Sequence, residues 1–109
     1  MDSPEAIFDR KWALRMLEQT LGAVRSRYAA AGRAALVDEL KAVLWGNRGG
    51  ISYEEIARRL GTTEGAIKVA VHRLKQRFRE QLRVEVSKTL LHPEDADDEL
   101  KHLFSALGA

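Results

Sequence analysis

The chain has 109 residues, 45% of them hydrophobic and 31% charged, with no cysteine and a formal net charge of +2. That length and apolar content suit one domain, 1–109, whose core needs no staples, and the missing cysteines exclude disulfides, thiolate zinc sites and cysteine nucleophiles. No apolar run approaches the roughly 18 residues of a membrane span, and the start MDSPEA lacks the basic and apolar parts of a signal peptide, so a cytoplasmic chain with no membrane partner is expected.

Ser3 and Pro4 form an N-cap and N1 pair. Ile7, Leu14, Leu17, Leu21, Val24 and Tyr28 follow on positions a and d of a heptad frame, which predicts one long helix from about Pro4 to Ala31. Gly22 allows a bend inside it, and Phe8 and Trp12, one turn apart, widen its apolar side. The stripe either packs on the next helices or leaves part of itself exposed for a partner. Gly32 and Arg33 break the pattern, and Leu36, Val37, Leu40, Val43 and Leu44 mark a second helix ending at Trp45 and Gly46. These two packing helices fill 1–46. The run from Asn47 to Gly50 is a turn, whose Arg48 reads either as a solvated loop charge or as a phosphate contact.

From 52 to 83 the pattern is two helices joined by a tight turn. Ser52 and Glu55 have the spacing of a capping box, Ile56 and Leu60 recur with Ala57 beside them, and Gly61 stands where a left-handed C′ residue closes a helix. Thr63 is an N-cap for the second helix and Glu64 places a negative charge in its first turn. There Ile67, Val71, Leu74, Phe78 and Leu82 make one apolar stripe that must face a core. Lys68, His72, Lys75, Gln76, Arg79 and Arg83 fall on a sector beside it, with Arg73 and Arg77 on its other flank. Small residues at Ala57, Gly61 and Gly65 suit the close crossing of roughly 90–120° that a helix-turn-helix needs, which would expose the second helix, from about residue 63, to a DNA major groove. After Leu91, Pro93 starts a C-terminal helix over 93–107. The acids Glu94, Asp95, Asp97, Asp98 and Glu99 read either as ordinary helix-start chemistry or as a segment that covers nucleic acid or docks on a basic partner.

Charge is distributed unevenly. Residues 52–83 hold eight Lys/Arg against four Asp/Glu, whereas 84–109 hold two against six, so the basic surface is local to the helical pair. His72, His92 and His102 have no metal-ligand spacing, and no phosphate loop or nucleophile elbow is present, so neither an enzyme, a cofactor nor a small-molecule substrate is expected. Every periodic segment repeats near 3.6, which predicts an all-α fold of about five helices with a wingless helix-turn-helix in the middle.

The run SYEEIARRLGTTEGAIKVAVHRLKQRFRE resembles region four, the carboxy-terminal DNA-binding region, of bacterial extracytoplasmic-function sigma factors, and the flanks FDRKWAL and DDELKHLF are similar to those of larger members. The resemblance covers about thirty residues closely and does not include region two, so this chain is expected to be either a domain of a longer sigma factor or a protein with a narrower role. It implies recognition of the −35 element of double-stranded promoter DNA, docking on the flap of the RNA polymerase beta subunit, and a possible anti-sigma factor. Carried over by position, it marks Lys68, Val69, His72 and Arg73 as base or phosphate contacts; many relatives have Ser-Arg where this chain has Val69 and Ala70. Lys75, Gln76 and Arg79 on the same helix, Thr63 and Gly65 at its start, and Arg58 and Arg59 on the preceding helix complete the candidates. Two other readings remain open: a helical module that binds the flap or an anti-sigma factor with little DNA affinity, and a free-standing dimeric helix-turn-helix regulator.

Overall fold

Ser3 opens the first helix, α1 (Pro4–Ala30), with its Oγ accepting from the Ala6 N–H at 3.2 Å and its carbonyl from the Ile7 N–H at 3.1 Å. The structure is a computed structural model that describes residues 3–44 and 50–108. Its further elements are α2 (Ala34–Leu44), α3 (Tyr53–Leu60), α4 (Glu64–Ser87), a single 3-10 turn (Pro93–Asp95) and α5 (Ala96–Gly108). The fold is all-α, with five helices and no strand among the described residues. Trp45, Gly46 and Asn47 to Gly49, including Arg48, lie outside the described residues.

The buried face of α1 agrees with the heptad frame at Val24 but departs from it in the first half of the helix. Ala13, Met16, Thr20 and Val24 are buried, while Ile7 and Leu14 are 44% and 48% exposed. Apolar residues are spread around this helix, so two stripes one residue apart compete for the core. The winning stripe contains a threonine, which a purely apolar count rejects, but the Thr20 hydroxyl donates to the Met16 carbonyl at 2.7 Å and so enters the core already satisfied. Gly22 sits within the uninterrupted helix.

Two compact units make up the chain, one from its start to Ala23 together with Phe78 onwards, the other Val24–Arg77. In the first, Ala13, Met16 and Thr20 of α1, Phe78, Leu82 and Val86 of α4, and Ala96 and Leu103 of α5 are buried. Trp12 and His102 rings lie 5.8 Å apart at a 40° tilt, and His102 Nε2 is 3.5 Å from Asp9 Oδ2. Asp97 is hydrogen-bonded to Arg83, so part of the acidic run is used in an ion pair with α4. Pro93 begins a 3-10 turn, closed by the Asp95 N–H on the His92 carbonyl at 2.9 Å, and α5 proper starts at Ala96 with Asp97, Asp98 and Glu99 in its first turn.

In the second unit Val24, Val37, Leu40, Ile56, Ala57, Ile67, Val71 and Leu74 are buried. At about 1.5–3 kcal/mol for each fully buried aliphatic side chain, this apolar set is what holds α2, α3 and the start of α4 in place. A bidentate pair, Arg25 Nε to Asp38 Oδ1 at 2.8 Å and Nη2 to Oδ2 at 2.9 Å, joins α1 to α2 at the exposed rim. Those hydrogen bonds chiefly hold the Asp38 carboxyl below the usual carboxylate range, against a smaller opposing desolvation and aided by the charges of Arg25 and Lys41. The Arg25 guanidinium is raised by the same contact.

Candidate nucleic-acid interface

The second unit places α3 and the first half of α4 on either side of a three-residue turn, Gly61 to Thr63. Ser52, with extended backbone at φ −66° and ψ 158°, caps α3 by accepting from the Glu55 N–H at 3.2 Å. The Glu55 carboxylate, expected to reach back to Ser52, instead meets Arg58 and, at 3.5 Å, Arg59 Nε. Gly61 at φ +69° closes α3: its N–H reaches the Arg58 carbonyl at 3.3 Å and the Thr62 N–H the Ala57 carbonyl at 2.8 Å, the paired bonds of a Schellman motif. Thr63 then caps α4 through its Oγ1, which accepts from the Ala66 N–H at 3.1 Å.

The expected role of small residues holds only in part. Ala57 is buried, but a Cβ added at Gly61 or Gly65 would meet nothing within 4 Å. Neither glycine is there to let helices approach each other; Gly61 is required by its left-handed backbone, and Gly65 leaves open space on the exposed side of α4.

Along this part of α4, Ile67, Val71 and Leu74 are buried and Lys68, Val69, His72, Arg73, Lys75 and Gln76 are exposed, the division set by the 3.6-residue repeat. The exposed residues do not form one group. Lys68, His72, Lys75 and Gln76 share one sector, and Lys68 Nζ lies 3.7 Å from Glu64 Oε1. Val69, Ala70 and Arg73 turn towards the end of α1 and the start of α2, where with Tyr28, Arg33 and Leu36 they line a cavity of about 300 Å³. Arg58 and Arg59 on α3 are held by carboxylates: Arg58 by Glu55, Arg59 by Glu55 and, at 3.6 Å, by Glu39 of α2. Thr63 is a cap, with its hydroxyl engaged. Arg79 is exposed on the part of α4 belonging to the other unit, where Arg83 is paired to Asp97.

Sequence reasoning missed Arg27 and Arg33. Both line a second cavity, of about 570 Å³, with Tyr28, Arg73 and Arg77. Arg27 was not singled out and Arg33 read as part of a helix break; the signal was Gly32, whose φ of +74° turns the chain so that Arg33 comes back over the Tyr28 ring at 5.7 Å. Among the described residues no cluster of His, Asp or Glu could hold a metal ion, and no helix is long and apolar enough to cross a membrane.

A buried stripe and an exposed cationic face on one capped helix, set by a short glycine turn against a second, define a helix-turn-helix DNA-binding element. Residues 39–78, from within α2 to Phe78 on α4, match the family model described as sigma-70, region 4. The match takes in 40 of the 109 residues, so this segment is similar to sigma-70 region 4, which at the level of the family is a DNA-binding part of the transcription machinery. Comparison with curated proteins and with solved structures gives no match.

Proposed function

We propose that the chain serves as the promoter-reading region four of an extracytoplasmic-function sigma factor, binding the −35 element in the major groove through α4 while docking on the beta-subunit flap of RNA polymerase in the cytoplasm. The observation that carries this reading is the two-sidedness of α4: with Ile67, Val71 and Leu74 in a core, Lys68, His72 and Gln76 face outward from a helix of defined start, and Val69 stands half exposed at the edge of that face. Lysine and glutamine can hydrogen-bond base edges, and Val69, 52% exposed, suits a thymine methyl where relatives carry a polar residue. Arg73 stands at the margin of this face, positioned for the strand beside it. Arg58 and Arg59, already held by Glu39 and Glu55, have their charge used within the fold.

A promoter panel tests the reading. Lys68→Ala and Gln76→Ala should change the ranking of duplexes by ~1–3 kcal/mol at the affected position, the size of a good base contact. If both substitutions leave affinity and ranking untouched, α4 is not the reading element.

One observation favours a second reading, a surface for a protein partner such as the flap or an anti-sigma factor: Ile7, Phe8 and Leu14 are exposed on α1, Phe8 by 71%. Loss of flap or anti-sigma binding in Phe8→Ala, in a chain that by itself has little affinity for any duplex, is the outcome it requires.

A further inference from the structure

The second unit pairs many of its cations with acids where the two meet: Arg25 with Asp38, Arg59 with Glu39 and Glu55, Lys68 with Glu64. Arg27, Arg33 and Arg73, which line the cavity of about 570 Å³, depart from that habit. Arg77, Tyr28, Val24 and Ala31 line the same cavity, and no carboxylate is among its described lining residues. Arg27 alone has a simple structural reason, since a cation in the last turn of α1 suits the negative end of the helix. That reason does not extend to Arg33, which follows the turn, nor to Arg73, which stands on another helix.

Arg33 is also oriented before any ligand arrives. Its backbone N–H is bound to the Tyr28 carbonyl at 2.7 Å and the Gly32 N–H to the Ala29 carbonyl at 2.9 Å, a second Schellman closure. Its guanidinium sits over the Tyr28 ring. A guanidinium fork so placed matches the oxygens of a phosphate, and an anion shared with Arg27 and Arg73 would relieve the repulsion of like charges gathered around one cavity.

The position of the cavity says which phosphate. A helix lying in a groove about 12 Å wide meets a sugar-phosphate strand on each flank. On α4 Lys75 lies on one flank of the outward face and Arg73 and Arg77 on the other, and Arg73 lines both this cavity and the smaller one that includes Val69. We propose that Arg27 and Arg33, with Arg73, form a cradle for one backbone phosphate of the duplex that α4 reads, fixing the register of the helix in the groove. The inference rests on the DNA-binding reading above, but its two added residues lie outside the matched segment 39–78.

The test is fluorescence anisotropy of the full chain on a −35-type duplex and a scrambled one across a salt series. R27A/R33A should weaken both duplexes alike, several-fold at low salt, leave their ranking unchanged and lower the slope of log K against log salt by ~0.9, the value for one phosphate. R27K/R33K keeps the charges and should keep the slope while losing part of the affinity, which separates the cradle from a folding defect. Unchanged affinity and slope in R27A/R33A, with wild type binding normally, would overturn the cradle and leave the DNA reading standing. Wild type that binds no duplex at low salt would remove the reading and the cradle with it. Calorimetry with inorganic pyrophosphate separates the two sources of phosphate: binding that depends on Arg27 and Arg33, in a chain whose DNA slope does not, would assign the cavity to a free anion and overturn the proposal.

Discussion

Replacing Gly61 by alanine isolates what the left-handed turn costs a side chain. The residue has φ +69°, and an added Cβ would meet nothing within 4 Å, so no clash contributes. What remains is the local strain of an L-residue in this region, about 1–2 kcal/mol, set against about 0.4–1 kcal/mol gained because alanine restricts the unfolded chain. The expected net loss is about 1 kcal/mol. The same substitution at Gly65, where the backbone is helical and the space equally open, should change sign and stabilise by up to ~1 kcal/mol through helix propensity. Urea unfolding followed by helical circular dichroism, with comparable m-values, reads both. Gly61→Asn should lose less than Gly61→Ala, because asparagine tolerates the left-handed region. If Gly61→Ala is neutral, or if alanine and asparagine cost the same, backbone conformation is not what this glycine supplies.

Glu64→Gln should tighten binding to any duplex several-fold in low salt by releasing Lys68 and removing a negative charge near phosphate, while costing ~0.3–1 kcal/mol of helix-start stabilisation; unchanged affinity by anisotropy would show that Lys68 is not limited by this pair. The Arg25–Asp38 pair predicts a pH dependence: because the folded Asp38 carboxyl is depressed, its stabilisation is present above the ordinary carboxylate range and is lost as pH falls through the folded value. Asp38→Asn should therefore be less stable than wild type at neutral pH and indistinguishable from it in strong acid, as measured by thermal melts at a series of pH values.

The elements most legible in the sequence were those whose chemistry is local. Ser3, Ser52 and Thr63 cap the helices they precede, Gly61 ends α3, and the stripe Ile67, Val71, Leu74, Phe78 and Leu82 is buried throughout. Where several helical faces were apolar, as on α1, the sequence could not choose, and a satisfied threonine decided against the larger Ile7 and Leu14. The candidate interface divided in the same way. That α4 presents Lys68, His72 and Gln76 follows from its period alone, but the pairing of Arg59 depended in part on Glu39, a residue on another helix, and the arginine cavity depended on a turn that brings Arg33 back towards Tyr28.

The turn between α3 and α4 has a further consequence for how this chain can vary. Its three residues contribute differently: Gly61 takes the left-handed backbone, Thr62 returns an N–H to Ala57, and Thr63 supplies the oxygen for Ala66. Changes of letter are graded, since serine or asparagine can replace a threonine cap at modest cost. Changes of length are not. One residue more or fewer leaves either the Ala57 carbonyl or the Ala66 N–H without its partner, or else shifts the start of α4 by a residue, a rotation of about 100° that would carry Ile67 out of the core and Lys68 off the outward face. The turn is open to substitution but closed to insertion and deletion, so a library that varies its composition should yield folded proteins where one that varies its length by a single residue should not.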